Sequence, residues 1–171
     1  MKTFKKERAM LVNEIQHTFE SLYTAIGAFS EAETDIQPFA GSWSAGQVAE
    51  HLIKGMSGIG RLGTKTEKSD RPLDEKIPAI KKMFLDYSIR LTSPDFLVPT
   101  SEKHDIKAQL SELKAIEEQH RGMAEDADLS LESRLFELPG FGALTLYEWI
   151  SFNLIHAQRH TLQLQNIRKK M

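Results

Sequence analysis

The sequence predicts an all-α fold, a four-helix bundle with a long crossover connection and an extra short helix, and three observations carry that prediction. Apolar residues recur at spacings of three, four or seven through the long stretches of the chain. No segment alternates convincingly with a period of two, so no strand is expected. The breaks between stretches are rich in Gly, Pro and polar residues, and one of them, roughly residues 63–104, is too long for a minimal up-down hairpin.

The first helix is read from the stripe Phe4, Leu11, Val12, Ile15, Phe19, Leu22, Ile26 and Phe29, ending near Ser30. Glu31 to Trp43, with Pro38 and Gly41, reads as a loop. A second helix is expected from Ser44 to about Leu62, followed by polar residues Gly63 to Asp74. Ile77 to Leu91 reads as a shorter helix stopped by Ser93-Pro94 and Pro99, and Asp105 to Ala127 as the next long one. Leu129 to Gly142 is irregular, and its Pro139-Gly140 turn leads into a last helix that carries two histidines. Ser44/Gln47 and Thr145/Glu148 each place a hydroxyl at the helix start and an amide or carboxylate three residues on. That is the capping-box pattern, with apolar neighbours as a hydrophobic staple.

At 171 residues the chain fits one domain, residues 1–171, whose core needs no disulfide or structural metal. Lys and Arg number 22 against 24 Asp and Glu, a formal charge of -2 that leaves no basic excess for phosphates, so no nucleic-acid partner is expected. Without cysteine, the protein has no disulfide scaffold, no thiolate metal site and no sulfur nucleophile of its own. The N-terminus lacks an apolar signal core, and the span Phe141 to Ala157 is interrupted by Glu148 and Asn153. The expectation is therefore a cytoplasmic protein with no membrane partner.

Chemistry concentrates in three of the six histidines. His156 and His160 are four residues apart on the last helix, about 40° beyond one full turn, so both rings leave one face. Trp149, Phe152, Gln163 and Ile167 lie near them, and imidazoles within an apolar stripe need partners. His51 lies beside the stripe of Val48, Leu52, Gly55, Ile59 and Leu62 on the second helix. Measured from the caps, His51 stands roughly 10 Å along its helix and the other pair roughly 16 to 22 Å along theirs, at about 1.5 Å per residue. Side-by-side helices staggered by one to two turns would bring the three together, and converging imidazoles suit a divalent metal.

The remaining candidates are weaker. Position 157 is Ala, so the pair lacks the glutamate of a zinc-protease H-E-x-x-H motif. Two Glu-x-x-His pairs, Glu14/His17 and Glu117/His120, raise the alternative of a carboxylate-bridged di-iron bundle. His17 points away from the first helix's stripe, which marks that pair as solvated. Glu117 and His120 fall on the apolar face with Ile106, Leu110, Leu113 and Ala124. They are read either as groups that support the site or carry acid/base work there, or as an ordinary hydrogen-bonded pair. Gly55 and Gly58 permit close helix packing or leave room for a substrate. Arg159 could guide an anion or end in solvent, and His104 shows no sign of a role.

Taken together, Trp43-Ser44-x-x-Gln47-Val48-x-Glu50-His51-Leu52, Leu138-Pro139-Gly140-Phe141-Gly142-x-Leu144-Thr145-Leu146-x-Glu148-Trp149 and His156-x-x-Arg159-His160-x-x-Gln163 resemble the DinB-like (DinB/YfiT) superfamily. The likeness spans nearly the whole chain, with residues 63–130 matched by helix pattern alone. The resemblance implies a four-helix bundle whose histidine triad, here His51, His156 and His160, holds a divalent metal, often nickel or zinc. It also implies frequent homodimers and, in some relatives, S-transferase or isomerase chemistry with a low-molecular-weight thiol cosubstrate.

Three function classes follow. A metal-dependent thiol transferase would take a small-molecule electrophile, with Glu117 or His120 assisting. A metal-dependent hydrolase would use the same site with water. A non-catalytic metal-binding or interaction module would use Leu154, Ile155 and Leu162, which lie away from the histidine face, against a partner chain or another helix of the bundle.

Overall fold

The computed structural model describes residues 2–171, with side chains from residue 6 onward, so the expected core position Phe4 lies outside the described side chains. Five α-helices and one two-stranded sheet make up the regular structure among the described residues, and the all-α expectation holds. Helix α1 (Lys2–Gly27) buries Leu11, Ile15, Phe19, Leu22 and Ile26 on one stripe. Each such side chain removed from water contributes about 1.5–3 kcal/mol. The helix stops at Gly27, a poor helix former, ahead of the expected Ser30, while Phe29 still packs into the core from the turn that follows.

Helix α2 (Ala45–Met56) begins with the expected capping box. Ser44 Oγ accepts from the Gln47 amide, and Gln47 Oε1 accepts from the Ser44 amide. It ends well before Leu62, because Gly55, Ser57 and Gly58 are weak helix formers. A 3-10 turn over Ile59–Thr64 then keeps Ile59 and Leu62 in the core. The apolar spacing thus continues past the end of the α-helix, which is why the sequence reads as one longer element.

Strand β1 (Thr66–Glu67) pairs antiparallel with β2 (Glu132–Ser133), a correction to the expectation of no strand. Two residues are too few to show alternation. Helix α3 (Ile77–Phe84) stops short of Leu91 because Arg159, from the last helix, donates to the carbonyls of Phe84, Asp86 and Ile89 and caps it from outside. A 3-10 turn, Asp95–Leu97, follows. Helix α4 (Ile106–Asp126) starts where the Asp105 carboxylate accepts from the amides of Lys107 and Ala108.

Helix α5 (Leu146–Lys169) opens with the second capping box, Thr145 with Glu148. Glu148 is fully buried and also accepts from both terminal nitrogens of Arg71, at 2.7 and 2.8 Å, and from the Lys76 amide at 2.8 Å. This locks the long connection between α2 and α4 to the base of α5. Both α1 and α2 pack against α4 and α5, and α3 lies against α5. Of the three residues expected to face a partner or another helix, Leu154 and Ile155 are buried within the chain and Leu162 is half-buried. Among the described residues no helix is long and apolar enough to cross a membrane.

Candidate metal centre

His51 comes from α2, and His156 and His160 from α5. All three are buried, with 2 %, 8 % and 8 % of their surface exposed, so solvent meets the cluster only at an edge. His156 Nε2 stands 3.0 Å from His51 Nε2 and 3.0 Å from His160 Nε2. One potential ligand atom from each residue falls within 4.8 Å of the others. The two capping boxes set where α2 and α5 begin, and packing of the helices against each other sets the stagger that brings the rings into register.

Hydrogen bonds on the far sides of the rings decide which nitrogens carry protons. His51 Nδ1 donates to the Leu97 carbonyl at 2.9 Å, and His160 Nδ1 donates to Gln163 Oε1 at 2.7 Å. A neutral imidazole has one proton, so both residues turn an Nε2 lone pair toward His156. Carbonyl-type acceptors behind the ring are the usual support for metal-binding histidines. A 3.0 Å spacing is also shorter than two metal–nitrogen bonds of about 2.0–2.1 Å laid end to end, so one ion can reach both nitrogens of each pair.

Electrostatics favour the same state. Burial lowers the His51 pKa below the ordinary 6.5, against the pull of the Leu97 carbonyl and with help from the Lys54 charge. Burial, then the neighbouring His160, His51 and Arg159, pushes His156 well below 6.5. His160 falls to about 3 through burial and the proximity of His51. All three rings are therefore neutral near pH 7, the form that coordinates a cation. Aromatic rings wall the cluster: Trp43 lies 4.9 Å from His51 and stacks near His160, while Phe152 stacks on His156 at 5.7 Å and Phe84 meets its edge.

Glu117 and His120 make a separate arrangement. His120 is fully buried, its Nδ1 donates to the Ile116 carbonyl at 2.7 Å, and its Nε2 accepts from Asn153 Nδ2 at 2.9 Å. Burial lowers its pKa to about 4. Glu117 accepts from the Tyr23 hydroxyl at 2.7 Å and pairs with Arg121 at 3.4 Å. None of these hydrogen bonds reaches the histidine cluster directly; Asn153, three residues before His156 on α5, is the nearest connection along the helix.

His17 is exposed, as expected for a solvated pair, with Glu20 its ionic neighbour. Arg159, expected either to guide an anion or to end in solvent, donates to the carbonyls of Phe84, Asp86 and Ile89. Gly55 faces the His156 ring, where an added Cβ would lie 3.6 Å from Cε1, and Gly58 has no neighbour within that reach. Close packing belongs instead to Gly46, whose missing Cβ would fall 2.7 Å from His104. His104 had no expected role, yet it bridges Asp35 and Glu50 at 2.5 and 2.9 Å. The support that Gln163 gives His160 follows a helical spacing of three and was open to recognition in the sequence; the Leu97 carbonyl carried no side-chain signal.

The model for the DinB superfamily matches residues 14–164, which include all three histidines of the cluster. An uncharacterized protein, YuaE of Bacillus subtilis (strain 168), is 24 % identical over 149 residues, covering 87 % of this chain and 91 % of that protein. No solved structure gives a significant match.

Proposed function

Because this chain belongs to the DinB superfamily, we propose that it is a divalent-metal protein, with nickel or zinc on His51, His156 and His160, that transfers a low-molecular-weight thiol to a small-molecule electrophile. The observation that carries the metal reading is the convergence of three neutral imidazoles, two with their Nε2 lone pairs directed inward by hydrogen bonds behind them.

When bound, a divalent ion on such a set acidifies a thiol or a water brought beside it. The protein's own groups do the rest. Three imidazoles leave coordination open, as in catalytic and not in structural sites. Trp43, Phe84 and Phe152 limit water around the cluster and offer apolar surface to a substrate. The chain has no cysteine, so a sulfur nucleophile must arrive with the cosubstrate. Glu117 and His120 enter as orienting groups, with His120 holding Asn153 on the helix that bears His156 and His160. Both nitrogens of His120 are engaged, which favours support over proton transfer.

Elemental analysis of protein purified without a polyhistidine tag tests the site. About one metal per chain is expected in wild type and none in His51→Ala or His160→Ala. Unchanged metal content in the variants sinks the proposal. The transfer reaction is tested on metal-loaded protein with a panel of low-molecular-weight thiols and electrophiles. Turnover that needs no thiol would instead favour hydrolysis at the same site.

A further inference from the structure

Helix α2 holds the crossover connection with four side chains on one face. Gln47, Glu50, His51 and Lys54 stand at helical spacings of three, four and seven, and each bonds to residues 97–100. Gln47 Nε2 donates to the Thr100 carbonyl at 3.0 Å, and Lys54 Nζ donates to the Val98 carbonyl at 2.9 Å. Glu50 accepts from the Thr100 amide at 2.8 Å and the Thr100 hydroxyl at 3.1 Å. His51 Nδ1 donates to the Leu97 carbonyl, the contact that sets its tautomer.

Glu50 is the hub of this face. Its carboxylate also accepts from Lys54 at 2.7 Å and from His104 at 2.9 Å, and His104 in turn reaches Asp35 in the loop between α1 and α2. One side chain therefore ties together α2, the loop before it and the segment that approaches His51. The segment's apolar anchorage is limited to buried Pro99 and half-buried Leu97. The turn Asp95–Leu97 has no fully buried residue, and Phe96 is 78 % and Val98 44 % exposed. Polar bonds from α2 must then supply much of what holds the Leu97 carbonyl in place.

We propose that Glu50 is a positioning residue for the histidine cluster: through Thr100 it holds the 97–100 segment so that the Leu97 carbonyl keeps the proton of His51 on Nδ1 and leaves Nε2 free for a cation. This deepens the metal-binding reading and rests on it for its consequence, though not for its geometry. Freed from that carbonyl, the His51 ring can carry its proton on Nε2, which occupies the lone pair a metal needs. Loss of such outer support commonly weakens metal affinity by about 10–100-fold.

The test joins nitrogen-resolved NMR of the imidazoles in the metal-free full chain with Co²⁺ titration followed by visible absorption. Wild type should show His51 as the Nδ1–H tautomer. Glu50→Ala should shift His51 toward Nε2–H and weaken Co²⁺ binding by about 10–100-fold, while His160, held by Gln163, keeps its tautomer. Glu50→Gln retains an oxygen for the Thr100 amide and should restore the His51 tautomer and most of the affinity. Lys54→Met, which removes the Val98 anchor and one partner of Glu50, should move both readouts in the direction of Glu50→Ala and serves if that variant does not fold. The proposal is overturned if the foldable variants keep the wild-type His51 tautomer, even where thermal stability falls. If wild type takes up no Co²⁺, the metal reading fails, while the NMR comparison still judges the role of Glu50.

Discussion

Gln163→Leu should weaken metal binding without unfolding the protein. In wild type, His160 Nδ1 donates to Gln163 Oε1 at 2.7 Å, and this bond keeps the Nε2 lone pair of His160 turned toward His156. Leucine fills similar space on the half-buried face of α5 but accepts nothing, so the ring is free to place its proton on the nitrogen that a metal would use. The expected loss is about 10–100-fold in affinity. That corresponds to about 1.4–2.8 kcal/mol at about 1.4 kcal/mol per tenfold change. The same bond contributes only about 0.5–1.5 kcal/mol to folding, part of which the added apolar surface offsets. Gln163→Glu supplies a stronger acceptor and should bind metal at least as tightly as wild type. Competition between the protein and a chelator for Zn²⁺ measures all three affinities, and thermal unfolding of the metal-free forms separates binding from stability. Equal affinities for wild type and Gln163→Leu would refute the reasoning, as would a Glu variant that binds more weakly than the Leu variant.

Acid should destabilise the metal-free protein through its buried histidines. Burial lowers the folded pKa of His51, His120, His156 and His160 below 6.5, so in acid the unfolded chain takes up protons that the folded chain refuses. Their contribution is full above about pH 6.5 and declines as pH falls toward folded values of about 4 for His120 and about 3 for His160. His104 has the opposite sign: burial disfavours its charge, but Glu50 and Asp35 outweigh this and raise its pKa, so its contribution is full below 6.5 and lost as pH rises through the folded value. Four against one, the urea midpoint should fall between about pH 7 and pH 5, and a flat or rising midpoint contradicts the burial argument. Gly46→Ala would place a methyl 2.7 Å from the His104 Cβ and Cγ. The overpacking cost of about 1–3 kcal/mol should exceed the gain of up to about 1 kcal/mol that alanine brings to a helix, so Tm should fall. Glu148→Gln removes the charge that faces Arg71 at the base of α5; Glu148 is buried, but Arg71 is half-buried and keeps Glu132 at 2.9 Å, so the change should cost about 1.5–3 kcal/mol in urea unfolding. A loss below about 1 kcal/mol would rank the pair with exposed ion pairs.

Local chemistry was readable along the chain. Both capping boxes appear where Ser44/Gln47 and Thr145/Glu148 announce them, because each closes within one helical turn. Helix ends are less legible in the sequence. Beyond Met56 the apolar spacing continues through a 3-10 turn, and beyond Phe84 the chain is held as turns by Arg159, a residue 75 positions away. The two-residue strands escaped notice because a period needs more than one repeat.

The four-residue spacing of His156 and His160 placed both on one face before any tertiary contact was considered, since helical geometry is a property of neighbouring residues. Absence of cysteine likewise confined any sulfur chemistry to a cosubstrate. Bringing His51 to the same point required packing across 105 positions of chain, and its tautomer required a backbone carbonyl 46 positions away. Every residue has such a carbonyl, so composition and spacing cannot select the one that matters. Its selection depends on where α2 meets the 97–100 segment. Helix packing therefore turned three histidines of the proper type into one cluster, with the Nε2 lone pairs of His51 and His160 directed inward.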